Sequence, residues 1–189
     1  MNRERKSIRL SNWDYSSEGI YFITICCFEN KIFFGEIIGK KMILNELGKM
    51  ASLFWKEIHE HFSHVYTDEY VIMPNHIHGI LILDYSAVGP CHGVSLQSNI
   101  GDYVGPCHGM ALQGNGINKF SKPVRNSVSV IVNQYKSTIK RWCNKNGYVS
   151  FQWQSRFYDR IIWNEHSMDE VRYYIQENPR NWEKDELNK

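Results

Sequence analysis

The stretch VIMPNHIHGILIL, from Val71 to Leu83, limits the folds open to this chain more than any other. Pro74 and Asn75 are turn residues, so the run divides into the end of one strand and the whole of the next. Alternation along the second strand puts His76, His78, Ile80 and Ile82 on one face, and Ile77, Gly79, Leu81 and Leu83 on the other. Beyond the histidines the first face is apolar, so helices should cover it and leave His76 and His78 at its rim. Two imidazoles about 7 Å apart along a strand can converge on one ion. Alone, the pattern reads equally well as two hydrogen-bonded histidines at a strand start.

The elements around this strand follow from periodicity. Ile20 to Phe28, IYFITICCF, is β-branched and aromatic and predicts a buried strand. IFFGEIIGKKMILN predicts a second strand, kinked at Gly35 or Gly39, that closes a hairpin with the first. NELGKMASLFWKEIHEHF predicts an amphipathic helix capped by Asn45, with Leu47, Met50, Ala51, Phe54, Trp55 and Ile58 on one stripe. VYTDEYVIM precedes the histidine strand as its partner. Val124 to Asn144 predicts another helix, and FQWQSRFYDRIIWN an extended segment. SMDEVRYYIQENP predicts a last helix capped by Ser167 with Glu170 three residues on, and closed by Pro179. This order implies an α+β fold, an antiparallel sheet with helices packed on one face in a ferredoxin-like sandwich. The whole chain, 1–189, is expected to be a single domain.

Hydrophobic residues at 42% and charged residues at 22% suit a water-soluble globular chain. No stretch is long and apolar enough for a membrane span or a signal peptide, so no membrane partner and a cytoplasmic location are expected. The cysteines at 26, 27, 91, 107 and 143 are odd in number and lack C-x-x-C spacing, which fits a reducing compartment. Net charge is only +2, but its distribution is uneven. From Tyr103 to Tyr158 there is no Asp or Glu, while Lys119, Lys122, Arg125, Lys136, Lys140, Arg141, Lys145 and Arg156 fall within the stretch. A locally basic segment of this kind suggests a phosphate-binding face.

Residues 86–121 depart from the plan. They are rich in Gly, Ser and Asn and contain a near-duplicate, VGPCHGVSLQ and VGPCHGMALQ. This segment reads as a loop insertion. Adjacent ligands in Cys91-His92 and Cys107-His108 are poorly placed to share one zinc ion, so a zinc-binding interaction module is disfavoured. The genetic code permits a sharper hypothesis. VGPCHGMAL with the first base of a Gln codon can be written as GTAGGGCCATGCCATGGCATGGCCCTAC, its own reverse complement. The insertion is then a translated inverted repeat, and gene codons that break the symmetry throughout would refute it.

The helix VRNSVSVIVNQYKSTIKRWCN carries Val128, Ile131, Val132, Tyr135, Ile139 and Trp142 on its inward stripe, with Lys136, Lys140 and Arg141 beside it. Tyr135 reads either as a core residue or as a nucleophile over the histidine face. A phenol with a pKa near 10 needs a base or nearby positive charge to attack a phosphodiester, and the phosphate needs its charge neutralised.

The motif MPNHIHGIL resembles the histidine–hydrophobe–histidine motif of single-tyrosine HUH transposases, and IVNQYKSTIKRW resembles their nucleophile helix. RKSIRLSNWDYSSEGIYFITICCFENKIFFGEI and FQWQSRFYDRIIWNE are similar to segments of the REP-associated tyrosine transposases. The resemblance spans nearly the whole chain outside the insertion. It implies that Tyr135 attacks single-stranded DNA beside a hairpin, forms a 5′-phosphotyrosine link, leaves a free 3′-OH and supports strand transfer. It also implies Mg²⁺ or Mn²⁺ held by His76 and His78. In that family a Gln or Asn one turn after the tyrosine completes the site. Here that place is Ile139, which cannot coordinate, and Thr138, Gln134, Asn133 and Glu69 are the alternatives. Tyr158, Tyr173 and Tyr174 are weaker candidates for the nucleophile. The family recognises a GTAG element beside its hairpin, and the hypothetical inverted repeat begins with GTAG. Expected DNA contacts are Arg9, Trp13, Lys122, Arg125, Lys136, Lys140, Arg141, Trp153, Arg156, Tyr158 and Arg160, with a DNA-contacting segment at 150–189. The expected partner is hairpin-containing single-stranded DNA, bound by a monomer or a homodimer. The competing function is a degenerate copy that binds such DNA without cutting it.

Overall fold

The β-branched run forms strand β1, Gly19–Cys26. In the computed structural model residues 13–86 and 124–188 are described. The duplicated Cys-His pairs, Arg9 and Lys122 lie outside them, as does all of the insertion but Ser86.

β1 does not pair with the segment that follows it. That segment folds on itself into β2, Gly35–Ile38, and β3, Lys41–Leu44. The connection is Gly39–Lys40, both with positive φ, the backbone that lets a two-residue turn match strand twist. Gly35 is required for a different reason. Its φ is +138°, and an added Cβ would lie 2.0 Å from the Ile43 carbonyl oxygen.

Helix α1, Glu46–Lys56, starts at Asn45, whose side chain accepts from the Gly48 backbone N–H. A short helix α2, Ile58–His61, leads to β4, Val65–Ile72, and the Pro74–Asn75 turn leads to β5, His76–Leu83. After the insertion come α3, Val128–Lys145; β6, Tyr158–Ile162; α4, Glu165–Glu177; and a 3₁₀ turn, Asn178–Lys184. The cap of α4 is Asn164, which accepts from the Ser167 N–H, so the helix begins earlier than the Ser167–Glu170 pattern predicts.

The main sheet has the order β4-β5-β1-β6, all antiparallel. The α+β class and the antiparallel sheet match expectation. The helices, expected on one face, are divided between two. Tyr21, Ile23, Ile25, Ile77, Leu81 and Leu83 face α1 and α3, where Leu47, Ala51, Trp55, Val128, Ile131, Val132, Tyr135 and Ile139 complete the larger core. Trp55 fills the notch left by Gly79, where a Cβ would lie 2.3 Å from its Cζ2. On the opposite face Ile80 and Ile162 meet Met168, Val171 and Ile175 of α4. The physical reason is legible in β5: both of its faces are apolar beyond the histidines, and each fully buried Ile or Leu contributes roughly 1.5–3 kcal/mol. Neither face can be left to water.

Candidate active site

His76 and His78 stand at the start of β5, opposite Cys26 and Thr24 of β1. Their alternation puts them on the α4 face with Phe22 and Thr24. His78 Nδ1 lies 2.8 Å from Thr24 Oγ1, and its ring stacks on Phe22 at 5.3 Å between centroids. His76 Nδ1 lies 2.7 Å from Asn75 Oδ1. Each ring is thus oriented through Nδ1, leaving Nε2 as the nitrogen open to a ligand role, the arrangement by which hydrogen-bonded imidazoles are prepared as metal ligands. Burial holds both neutral: it lowers the His76 pKa to about 4 against an opposing pull from Asp185, and it drives His78 well below 6.5 with His76 adding to the effect.

The third member arrives from the C-terminal segment. Asp185 Oδ2 lies 3.8 Å from His76 Nε2. The ligand atoms of His76, His78 and Asp185 all lie within 4.8 Å of one another. His76 Nε2 and Asp185 Oδ2 are buried without hydrogen-bond partners, and so is Asn178 Oδ1 at the end of α4. Buried polar atoms rarely go unpaired, and a divalent cation satisfies such a set directly. The donors are two imidazole nitrogens and a carboxylate oxygen, a mixture that suits Mn²⁺ and, with more oxygen ligands from substrate, Mg²⁺. The residues present therefore fit a divalent ion.

Tyr174 completes the arrangement. It projects from α4 with 46% exposure, its hydroxyl 3.3 Å from His78 Nε2 and its ring edge-on to Phe22. Burial raises its pKa first and the Asp185 charge adds to this; a hydrogen bond from the Asn178 side chain opposes them. An open cavity of about 460 Å³ begins here, lined among others by Thr24, His78, Tyr158, Tyr174, Asn178 and Lys184. An adjoining one of about 400 Å³ shares Phe22, Thr24, Tyr158 and Tyr174 and extends to Arg160.

The expected nucleophile lies elsewhere. Tyr135 is 3% exposed, on the helix that packs against the other face of the sheet. Its hydroxyl donates to the Ala51 carbonyl at 2.9 Å, its ring packs edge-on to Trp55, and burial raises its pKa well above 10. Thr138, Gln134 and Asn133 share that helix and that side of the sheet. Thr138 Oγ1 donates back to the Gln134 carbonyl. Glu69 lines a separate surface cleft with Asp68, Tyr70 and Arg172. None of the four joins the histidines.

The expected DNA contacts divide similarly. Tyr158 and Arg160 sit opposite Thr24 and Phe22 on β6, so they share the histidine face, and the Arg160 guanidinium lies 5.9 Å from the Phe22 ring centroid. Lys136 and Lys140 are engaged in structure, donating to the Gln154 and Phe151 carbonyls, each at 2.6 Å. Trp153 packs on Phe151 and donates to the Lys136 carbonyl. Trp13 donates to the Tyr21 hydroxyl at the far end of β1. Arg125, Arg141 and Arg156 are exposed, with Arg125 just ahead of the α3 N-terminus. Asp185, Asn178 and Thr24 were not singled out from sequence. One signal could have found Asn178: it stands one turn after Tyr174, the spacing sought in vain after Tyr135.

The four-stranded antiparallel sheet with helices on both of its faces is a fold with a solved relative. The solved structure of a REP-associated tyrosine transposase bound to a REP hairpin shares it, with a TM-score of 0.52 and 15% identity, over 96% of this chain and 74% of that one. No protein-family model matches the chain. The chain belongs to the family of an uncharacterized protein of Haemophilus influenzae, to which it is 37% identical over 183 residues, 97% of this chain and 92% of that protein.

Proposed function

We propose that this protein is a metal-dependent enzyme that cleaves and rejoins single-stranded DNA beside a hairpin, with Tyr174 as nucleophile. The observation that carries the reading is the approach of the Tyr174 hydroxyl to His78 Nε2, at 3.3 Å, inside an open cavity. The fold shared with a hairpin-bound transposase supports the class of substrate.

His76, His78 and Asp185 would hold Mg²⁺ or Mn²⁺. When bound, the ion would neutralise phosphate charge and favour the phenolate. The chain's own groups do the rest. Phe22 packs edge-on to Tyr174 and steadies its ring over the rim. The Asn178 side chain lowers the phenol's pKa against the pull of burial and so favours its charged form. Lys184 and Arg160, at the two ends of the joined cavities, give the strand's flanking phosphates cationic partners. Tyr158, half exposed between them, offers a stacking face for an unpaired base. In the reaction a bond forms from Tyr174 Oη to phosphorus as the P–O3′ bond breaks. The phenol gives up its proton and the departing 3′ oxygen takes one up. The phosphotyrosine conserves the bond's energy for rejoining to a 3′-OH.

A labelled single-stranded oligonucleotide with a hairpin and a GTAG element, incubated with Mn²⁺, should give a covalent adduct stable to denaturant. Tyr174→Phe should abolish the adduct while hairpin binding persists. Binding without an adduct in the native protein would favour the non-cleaving reading.

A further inference from the structure

Asn75 connects the two histidines' strand to the C-terminal segment, and its hydrogen bonds leave no freedom in how it does so. The side chain is 2% exposed. Its Nδ2 donates to the Leu187 carbonyl at 2.7 Å and to the Asn30 carbonyl at 3.0 Å. Both partners can only accept, so both amide hydrogens are used and the orientation of the amide is settled. Oδ1 therefore faces His76 Nδ1, at 2.7 Å, and can only accept from it. His76 must carry its proton on Nδ1. Nε2 is left as the bare nitrogen, and Nε2 is the atom that looks toward Asp185.

The same residue governs the carboxylate. The Leu187 backbone N–H donates to Asp185 Oδ1 at 2.7 Å, so that oxygen is engaged and Oδ2 is turned to His76. Leu187 is held in turn through its carbonyl by Asn75. Asn75, Leu187, Asp185 and His76 thus form a closed ring of contacts, with both unpartnered ligand atoms pointing into it.

We propose that Asn75 is the positioning residue that assembles the metal site: one end of its amide sets the His76 tautomer, and the other clasps the C-terminal segment that supplies Asp185. This rests on the metal-binding reading given above. It adds that the segment around Leu187 is part of the metal centre, and that a single amide couples the two.

The full-length protein tests this with two readouts that need no DNA. In the metal-free protein labelled with ¹⁵N-histidine, NMR should show His76 protonated at Nδ1. Asn75→Ala should lose that preference. Asn75→Asp keeps the acceptor but not the donors, so it should retain the Nδ1 proton while amide exchange at Leu187 quickens. By calorimetry, Asn75→Ala should weaken Mn²⁺ binding by about 10–100-fold, the usual effect of losing an outer-sphere partner, and Asp185→Asn, which alters a ligand, should weaken it at least as much. Native His76 protonated at Nε2, or equal Mn²⁺ affinity in the native protein and in folded Asn75→Ala, would overturn the proposal. Failure of the native protein to bind Mn²⁺ with the Nδ1 tautomer intact would instead overturn the metal reading beneath it.

Discussion

Two tyrosines at the residue scale have opposite fates. Tyr135 occupies the middle of an apolar stripe and spends its hydroxyl on a main-chain carbonyl; Tyr174 leaves an amphipathic helix at its edge and presents its hydroxyl to a histidine. Their chemistry is the same, and only the packing partner separates a core residue from the one proposed as nucleophile. The histidines carry a second residue-scale consequence. Both are held neutral by burial, so the unfolded chain takes up protons near pH 6.5 that native His76 refuses down to about 4. The unfolded state then binds more protons in that window, and stability, fully present above 6.5, is lost as pH falls through it. Melts of the metal-free protein should show the decline, and His76→Gln should make it shallower, leaving the His78 part. A native profile flat across that range would contradict the assignment. Gly79 is the third case. Gly79→Ala brings a methyl against Trp55 and should destabilise by about 1–3 kcal/mol in chemical denaturation, with little change in hairpin binding. A fully stable alanine variant would mean that Trp55 does not fill that notch.

Among the elements, α4 matters most, because it holds Tyr174 and places Asn178 one turn on, just past its C-terminus. Its N-terminus depends on Asn164, and Asn164→Ala should cost about 1 kcal/mol in a urea melt. Its flank is tied to β4 by Arg172, which grips Asp68 through Nε at 2.9 Å and Nη2 at 2.7 Å. The Asn164 variant should also slow adduct formation more than it weakens DNA binding, since it loosens the helix under the nucleophile. Unchanged stability would show that another group caps the helix. The elements show where sequence reading succeeds and stops. The apolar runs at Ile20 and His76 and the stripes of α1 and α3 were readable because period and burial agree. The segment of β2 and β3 reads in sequence as one kinked strand paired with β1, since positive φ at Lys40 cannot be seen in its residue type. Which helix covers which face was not legible either, because β5 is apolar on both sides and local pattern says nothing about its partners.

The whole molecule unites these parts at one rim of the sheet. His76 and His78 were visible as an oddity of one strand, and Tyr158 and Arg160 as an aromatic and a base in one segment. Asp185 was invisible, because nothing in EKDELN marks a carboxylate that the chain carries back to residue 76 after crossing the entire fold. The basic stretch is in part structural: Lys136 and Lys140 count as charge in the sequence, yet in the fold they hold the segment at 151–154 against α3. The central claim is that the nucleophile is the tyrosine facing the histidines and not the one in the core. The covalent-adduct assay with a hairpin oligonucleotide and Mn²⁺ separates the two directly. Tyr174→Phe should give no adduct, while Tyr135→Phe should give a normal one at a stability cost of roughly 1–2 kcal/mol for the lost hydrogen bond. An adduct that survives Tyr174→Phe and disappears in a folded Tyr135→Phe protein would contradict the account.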